Sequence, residues 1–143
     1  MYVKYGDQVW FIIIYTIEAH PVGSPSPYSG KEWTGPASMD KEGCALTQPA
    51  TYEERVAQAS QMSEELGLTV PVLIDEMDNA VWCTYGPAPN TAYLIDTDGT
   101  IVAKQGWYQP QLMEAAIEEY LGGAATPTAS LPTMPTTAAE VIS

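Results

Sequence analysis

The sequence predicts an α/β domain running strand, long insertion, helix, strand, helix, hairpin, helix, and three observations predict it. Val9 to Ile17 is an almost continuous apolar run rich in β-branched and aromatic residues, the pattern of a strand covered on both faces in a parallel sheet. Thr51-Tyr-Glu-Glu54 is a capping box that opens a helix. Asp96-Thr-Asp-Gly-Thr100 lies between the apolar runs Ala92 to Ile95 and Ile101 to Ala103, which is the short-range signature of a hairpin, with Gly99 supplying the positive φ.

Taken in order, Met1 to Asp7 leaves room only for the end of a helix that Gly6 stops. The first strand ends on Glu18-Ala-His20-Pro21, and in open α/β sheets ligands bind outside the carboxyl ends of the strands. Residues 21–51 are rich in Pro, Gly and Ser without a sustained period. Loops of this length are functional or disordered, and Tyr28 and Trp33 argue against complete disorder. The segment is either a flap folded over the strand ends or a solvated insertion. The helix after Thr51 turns Tyr52, Val56, Ala59, Ser63 and Leu66 to one face, and Gly67 closes it.

Val70 to Ile74 is a second buried strand, after which Asp75 caps a short helix through Val81, Trp82 and Tyr85 that Gly86 ends. Pro87 and Pro89 crowd the first hairpin strand, which Pro89 opens. Pro110 starts an amphipathic helix with Leu112, Met113, Ala116, Ile117 and Tyr120 inward, ended by Gly122-Gly123. Residues 123–143 read as a disordered Ala/Thr/Pro tail, leaving one domain over 1–122. There is no internal repeat.

Five basic against eighteen acidic residues give a net charge of −13, which argues against nucleic acid or an anionic bilayer as partner. The longest apolar run is about half of a bilayer span, and no charged-then-apolar leader precedes it, so no secretory signal is expected. Cys44 and Cys83 are far apart and not in a Cys-x-x-Cys arrangement, indicating neither a disulfide framework nor a metal site. A lone His20 cannot build a zinc site. Asp75, Asp78 and Asn79 read as helix-capping residues rather than metal ligands. No cofactor is expected.

Four segments in the same order resemble the iodothyronine deiodinase family, a selenocysteine branch of the thioredoxin-like redoxins: Tyr15-Thr-Ile-Glu-Ala-His-Pro21; Gln48-Pro with Tyr52-Glu-Glu-Arg55 and Ala59; Pro71-Val-Leu-Ile-Asp-Glu-Met-Asp-Asn79; and Tyr85-Gly-Pro-Ala-Pro89 with Tyr93-Leu-Ile95. The resemblance spans about Met1 to Tyr120 and implies a thioredoxin-like sheet with flanking helices. It also implies a cis Ala88-Pro89 bond beside the reactive group. The family's nucleophile, a selenocysteine or cysteine, opens a helix that belongs before Val9, where the helix N-terminus lowers its pKa. The expectation is therefore a chain lacking the central strand and the start of the nucleophile helix, Met1 being the first methionine after an in-frame UGA read as a stop. The missing strand belongs between Val9–Ile17 and Thr91–Ile95, and its loss leaves two ladders that must pair with each other, with water or with another chain.

By the same resemblance His20 sits beside the chalcogen as ligand or acid, histidine being the side chain in this sequence that can shuttle a proton near neutrality without a large pKa shift; otherwise it caps a strand. Glu18 orients His20 or faces solvent, and Pro89 supports the site. Trp33 corresponds to the family's tryptophan after an insertion from Val22 to Glu32. The positions that clamp iodothyronines have no counterpart, since Gln48-Pro49 is followed by no histidine and Gly106-Trp-Tyr-Gln-Pro110 holds no arginine. The expected activity is thiol- or selenol-dependent deiodination or peroxide reduction, inactive without the nucleophile, with a small-molecule substrate and a thiol reductant as partners. A homodimer is open, and the cytoplasm is the expected compartment. The rivals are a non-enzymatic binding module using the insertion, and a peroxiredoxin-like thiol peroxidase acting through Cys44 or Cys83, which otherwise behave as small hydrophobes.

Overall fold

The computed structural model describes residues 1–86 and 90–123. The elements are α1 (Tyr2–Tyr5), β1 (Ile13–Tyr15), α2 (Tyr52–Leu66), β2 (Val72–Ile74), α3 (Ala80–Tyr85), β3 (Ala92–Ile95), β4 (Ile101–Gln105) and α4 (Pro110–Gly123). This is a mixed α/β arrangement with two two-stranded sheets, β1–β2 parallel and β3–β4 antiparallel. The expectations for Pro87, the Ala88–Pro89 bond, Pro89 and the tail beyond Gly123 lie outside the described residues. Gly123 itself belongs to α4. Among the described residues no helix is long and apolar enough to cross a membrane. By contact they divide into two compact units, 11–86 and 1–10 with 90–123.

In the unit of 11–86, only three residues of the long apolar run form a strand, and it is not covered on both faces as expected. Ile12 and Ile14 remain 45% and 42% exposed, because among the described residues β1 has a ladder neighbour, β2, on one edge only. α2 packs on β2. Thr51 Oγ1 accepts from the Glu54 amide at 3.2 Å, but the Glu54 carboxylate reaches one residue beyond the cap, to the Ala50 amide at 2.7 Å. At the other end Gly67 (φ 59°) donates to Glu64 O and Leu68 to Ser63 O, a Schellman closure.

The face of α2 expected inward is buried at Ala59 and half-buried at Tyr52, Val56 and Ser63, with two departures, Arg55 and Leu66. Arg55 and Ala59 are its buried residues, while Leu66, in the last turn, is 67% exposed. Arg55 enters the interior because it finds acceptors there: Nη1 donates to Asp75 O (3.0 Å) and Glu76 O (2.7 Å), and Nη2 to Asn79 Oδ1 (2.8 Å). Asp75 caps α3 as expected, its carboxylate accepting from the Val81 and Trp82 amides at 3.0 and 2.9 Å.

In the other unit, α4 packs on both strands of the β3–β4 hairpin, and Tyr5, Leu94, Met113 and Ile117 form the buried core. Leu112, expected inward, is 56% exposed; the inward stripe of α4 runs through Met113 and Ile117, spaced i, i+4. Asp96 N donates to Thr100 O at 2.8 Å across the turn, Gly99 has φ 89°, and a bulge follows Leu94. Lys4 Nζ pairs with Glu114 (3.0 Å) and Glu118 (2.7 Å), and the Tyr5 hydroxyl donates to the same carboxylates.

Candidate functional site

The site grows from the carboxyl end of β1. Just past the strand, the side-chain amide of Gln48 grips the Glu18 backbone at two points, accepting from its N–H at 2.8 Å and donating to its C=O at 3.0 Å. The Glu18 carboxylate accepts from the Tyr15 hydroxyl (2.9 Å), from Ser38 Oγ and from the Ala19 amide (3.1 Å). Burial, and then the neighbouring Glu18 charge, push the Tyr15 phenol well above its ordinary range, so it stays a neutral donor to the carboxylate. Glu18 thus shapes the strand end, and its hydrogen bonds run to Tyr15, Ser38 and Ala19 rather than to His20.

Two residues on, His20 accepts at its carbonyl from the Ser38 amide (3.0 Å). Its imidazole lies on the Trp33 indole, 4.1 Å between centroids and 15° from parallel. The indole is fixed in turn, with Nε1 donating to Pro36 O at 2.8 Å. Gly35 is required beneath it, since a Cβ there would lie 2.8 Å from the Trp33 ring. Among the described residues no hydrogen bond engages the His20 ring nitrogens.

The 21–51 segment therefore folds against the strand end, as the flap alternative had it. Val22 bridges to Thr47, Pro25 to Glu32 and Met39 to Ala45, and Ser26 is buried. Tyr28 meets Trp82 edge-on at 6.3 Å, its phenol raised by burial against an opposing contribution from Trp82. A cavity of about 300 Å³ is lined by Gly23, Ser24, Pro25 and Glu32.

The structure joins His20, Glu18 and Trp33 in one strand-end assembly, and adds Tyr15, Ser38 and Gln48. Gln48 carried a signal in its place beside Pro49; Ser38 carried none, since a serine in a Ser-rich loop looks like any other. Cys44 is exposed in its loop with its amide on Asp40 Oδ1 (2.8 Å), and Cys83 is exposed within α3. Asp78 caps the Ala80 amide (3.1 Å), so Asp75, Asp78 and Asn79 are all engaged in local structure. Among the described residues no cluster of His, Cys, Asp or Glu has metal-holding geometry. Chemically, the assembly offers one imidazole, unbonded at its ring nitrogens among the described residues and backed by an aromatic surface: a platform for proton transfer to, or stacking of, a planar ligand. Comparison with protein-family models, curated proteins and solved structures found no match.

Proposed function

We propose that this chain is the scaffold of a thiol- or selenol-dependent oxidoreductase of the iodothyronine deiodinase type, its elements ordered as in a thioredoxin-like sheet. One observation carries the reading: His20, in the segment Glu18-Ala-His20-Pro21, is held at the end of a parallel strand by the Trp33 stack and the Ser38 bond, with its nitrogens available. In this reading a chalcogenolate from a segment before Val9 attacks iodine or peroxide oxygen, and His20 delivers the proton. The net reactions are Ar–I + 2 RSH → Ar–H + RSSR + HI and ROOH + 2 RSH → ROH + H₂O + RSSR. Trp33 and Gly35 position the imidazole, and Glu18 fixes the strand end. The partners are a small planar or peroxide substrate and a thiol reductant, and the compartment is the cytoplasm.

The test is thiol-dependent turnover of peroxide and of iodinated phenols by the chain alone and by the chain fused behind a strand, cysteine or selenocysteine, and helix segment. Activity confined to the fusion, and lost in His20→Gln, supports the proposal. Activity of the chain alone that Cys44→Ser or Cys83→Ser abolishes replaces it with a thiol peroxidase. The ordered fold of 21–51 favours a second reading, a non-catalytic binding module; saturable binding of a planar phenol with no turnover in either form selects it.

A further inference from the structure

Two polar groups of the 21–51 segment stay outside its hydrogen bonding, and both line the same cavity. The backbone is pinned on either side of Ser24: Val22 N–H donates to Leu46 O at 2.9 Å, and Pro25 bridges to Glu32, with Ser26 N–H donating to Lys31 O at 2.8 Å. Gly23, Ser24, Pro25 and Glu32 line the cavity of about 300 Å³. The Ser24 hydroxyl oxygen is buried and has no hydrogen-bond partner among the described residues. A buried hydroxyl is ordinarily satisfied, so one left over beside a cavity points to a ligand or to water. Across the bridge, the Glu32 carboxylate makes neither a hydrogen bond nor an ion pair among the described residues.

We propose that this cavity binds a small primary alkylamine as its ammonium ion, with the Ser24 hydroxyl and the Glu32 carboxylate accepting from the nitrogen and the carbon chain lying along Pro25. An ammonium carries three donors, enough for both acceptors. Charge sets the sign of the ligand. The lining holds one acid and no base, and a chain of net charge −13 repels anions and concentrates cations at its surface. The donor set then separates an organic cation from an inorganic one. One carboxylate and one hydroxyl fall well short of the roughly six to eight oxygens that calcium takes, and the Pro25 ring offers an apolar wall that an alkyl chain gains from covering. Size bounds the chain: the cavity equals about ten water volumes, the small end of ligand pockets, which suits a few carbons. Glu32 is exposed, so its charge is screened and the binding is weak. The inference is independent of the proposed enzymatic function.

Amide NMR of the full chain, titrated with propylammonium chloride to about 50 mM, tests it. The expected result is a saturating shift of the Gly23, Ser24 and Glu32 amides with a midpoint on the order of a few mM. Ser24→Ala removes the hydroxyl and Glu32→Gln the charge; each is expected to keep the wild-type far-UV circular dichroism and to raise the midpoint about fivefold. Tetramethylammonium chloride, equal in charge but without an N–H, and sodium propionate are expected to leave these amides unmoved. Unmoved amides with propylammonium would mean that water alone serves the Ser24 hydroxyl, and overturn the inference. So do shifts that rise without saturating, that spread over the acidic surface, that tetramethylammonium reproduces, or whose midpoint is unchanged in both variants.

Discussion

The imidazole of His20 rests flat on the indole of Trp33, 4.1 Å away and 15° from parallel. This is the one histidine in the chain, so its ring protons are identifiable by NMR without assignment. They are expected upfield of free histidine by the indole ring current and to return toward it in Trp33→Leu. Stacked aromatic pairs contribute about 0.5–1.5 kcal/mol beyond burial, the stability loss expected beyond the area term. Gly35→Ala is expected to displace the His20 resonances as well, because its Cβ would meet the indole at 2.8 Å. Unmoved resonances in both variants would mean that the stack does not persist in solution.

Arg55 is 2% exposed and sends three hydrogen bonds to Asp75 O, Glu76 O and Asn79 Oδ1. Arg55→Met retains the aliphatic body but strips the donors, leaving acceptors in the interior; the expected loss is about 3 kcal/mol in urea unfolding. Arg55→Lys keeps the charge without the planar fork and is expected to recover less than half of it. A wild-type midpoint for the Met variant would show that these acceptors find water instead.

What the sequence revealed followed from local chemistry. The cap at Thr51, the closing Gly67, the cap at Asp75 and the Asp96–Thr100 turn each depend on a few adjacent residues, and each formed as read except that the Glu54 half of the capping box reaches Ala50. The limits of β1 were not legible, because whether Val9 to Ile12 joins a ladder depends on a distant neighbour and not on its own apolarity. Arg55 was hidden for a related reason: its burial is decided by carbonyls 20 and 21 residues away. At the site, His20 and Glu18 were visible as chemistry at a strand end. The bonds of Ser38 and Gln48 across 20 and 30 residues come from how the insertion folds, which no period records.

Asp75 is buried and accepts two amides of the first turn of α3. Asp75→Asn retains one acceptor oxygen and is expected to cost about 1 kcal/mol, whereas Asp75→Ala orphans both donors and is expected to cost roughly 2–4 kcal/mol. Hydrogen exchange localises the effect: the Val81 and Trp82 amides are expected to lose protection before those of α2. Uniform loss across both helices would instead place the cost in the Arg55 network.

Acid stability of the unit of 1–10 with 90–123 is set by three carboxylates. The Tyr120 hydroxyl, then the Thr97 amide, hold Asp96 below its ordinary value, and Lys4, followed by the Tyr5 hydroxyl, does the same for Glu114 and Glu118. A carboxyl whose folded value is depressed contributes stability that is present above the unfolded value, about 4, and lost as pH falls through the folded value. The same partners raise Lys4, whose contribution is present below its unfolded value of about 10.4 and lost as pH rises beyond it. The melting temperature is therefore expected to be flat between about pH 5 and 9 and to fall on both sides. Lys4→Met and Tyr120→Phe are each expected to shrink both limbs, because the bond that lowers Asp96 also raises the Tyr120 phenol. Added salt is expected to weaken the Lys4 part, because these groups are exposed and screened. An acid limb unchanged in both variants would assign the loss to other carboxylates.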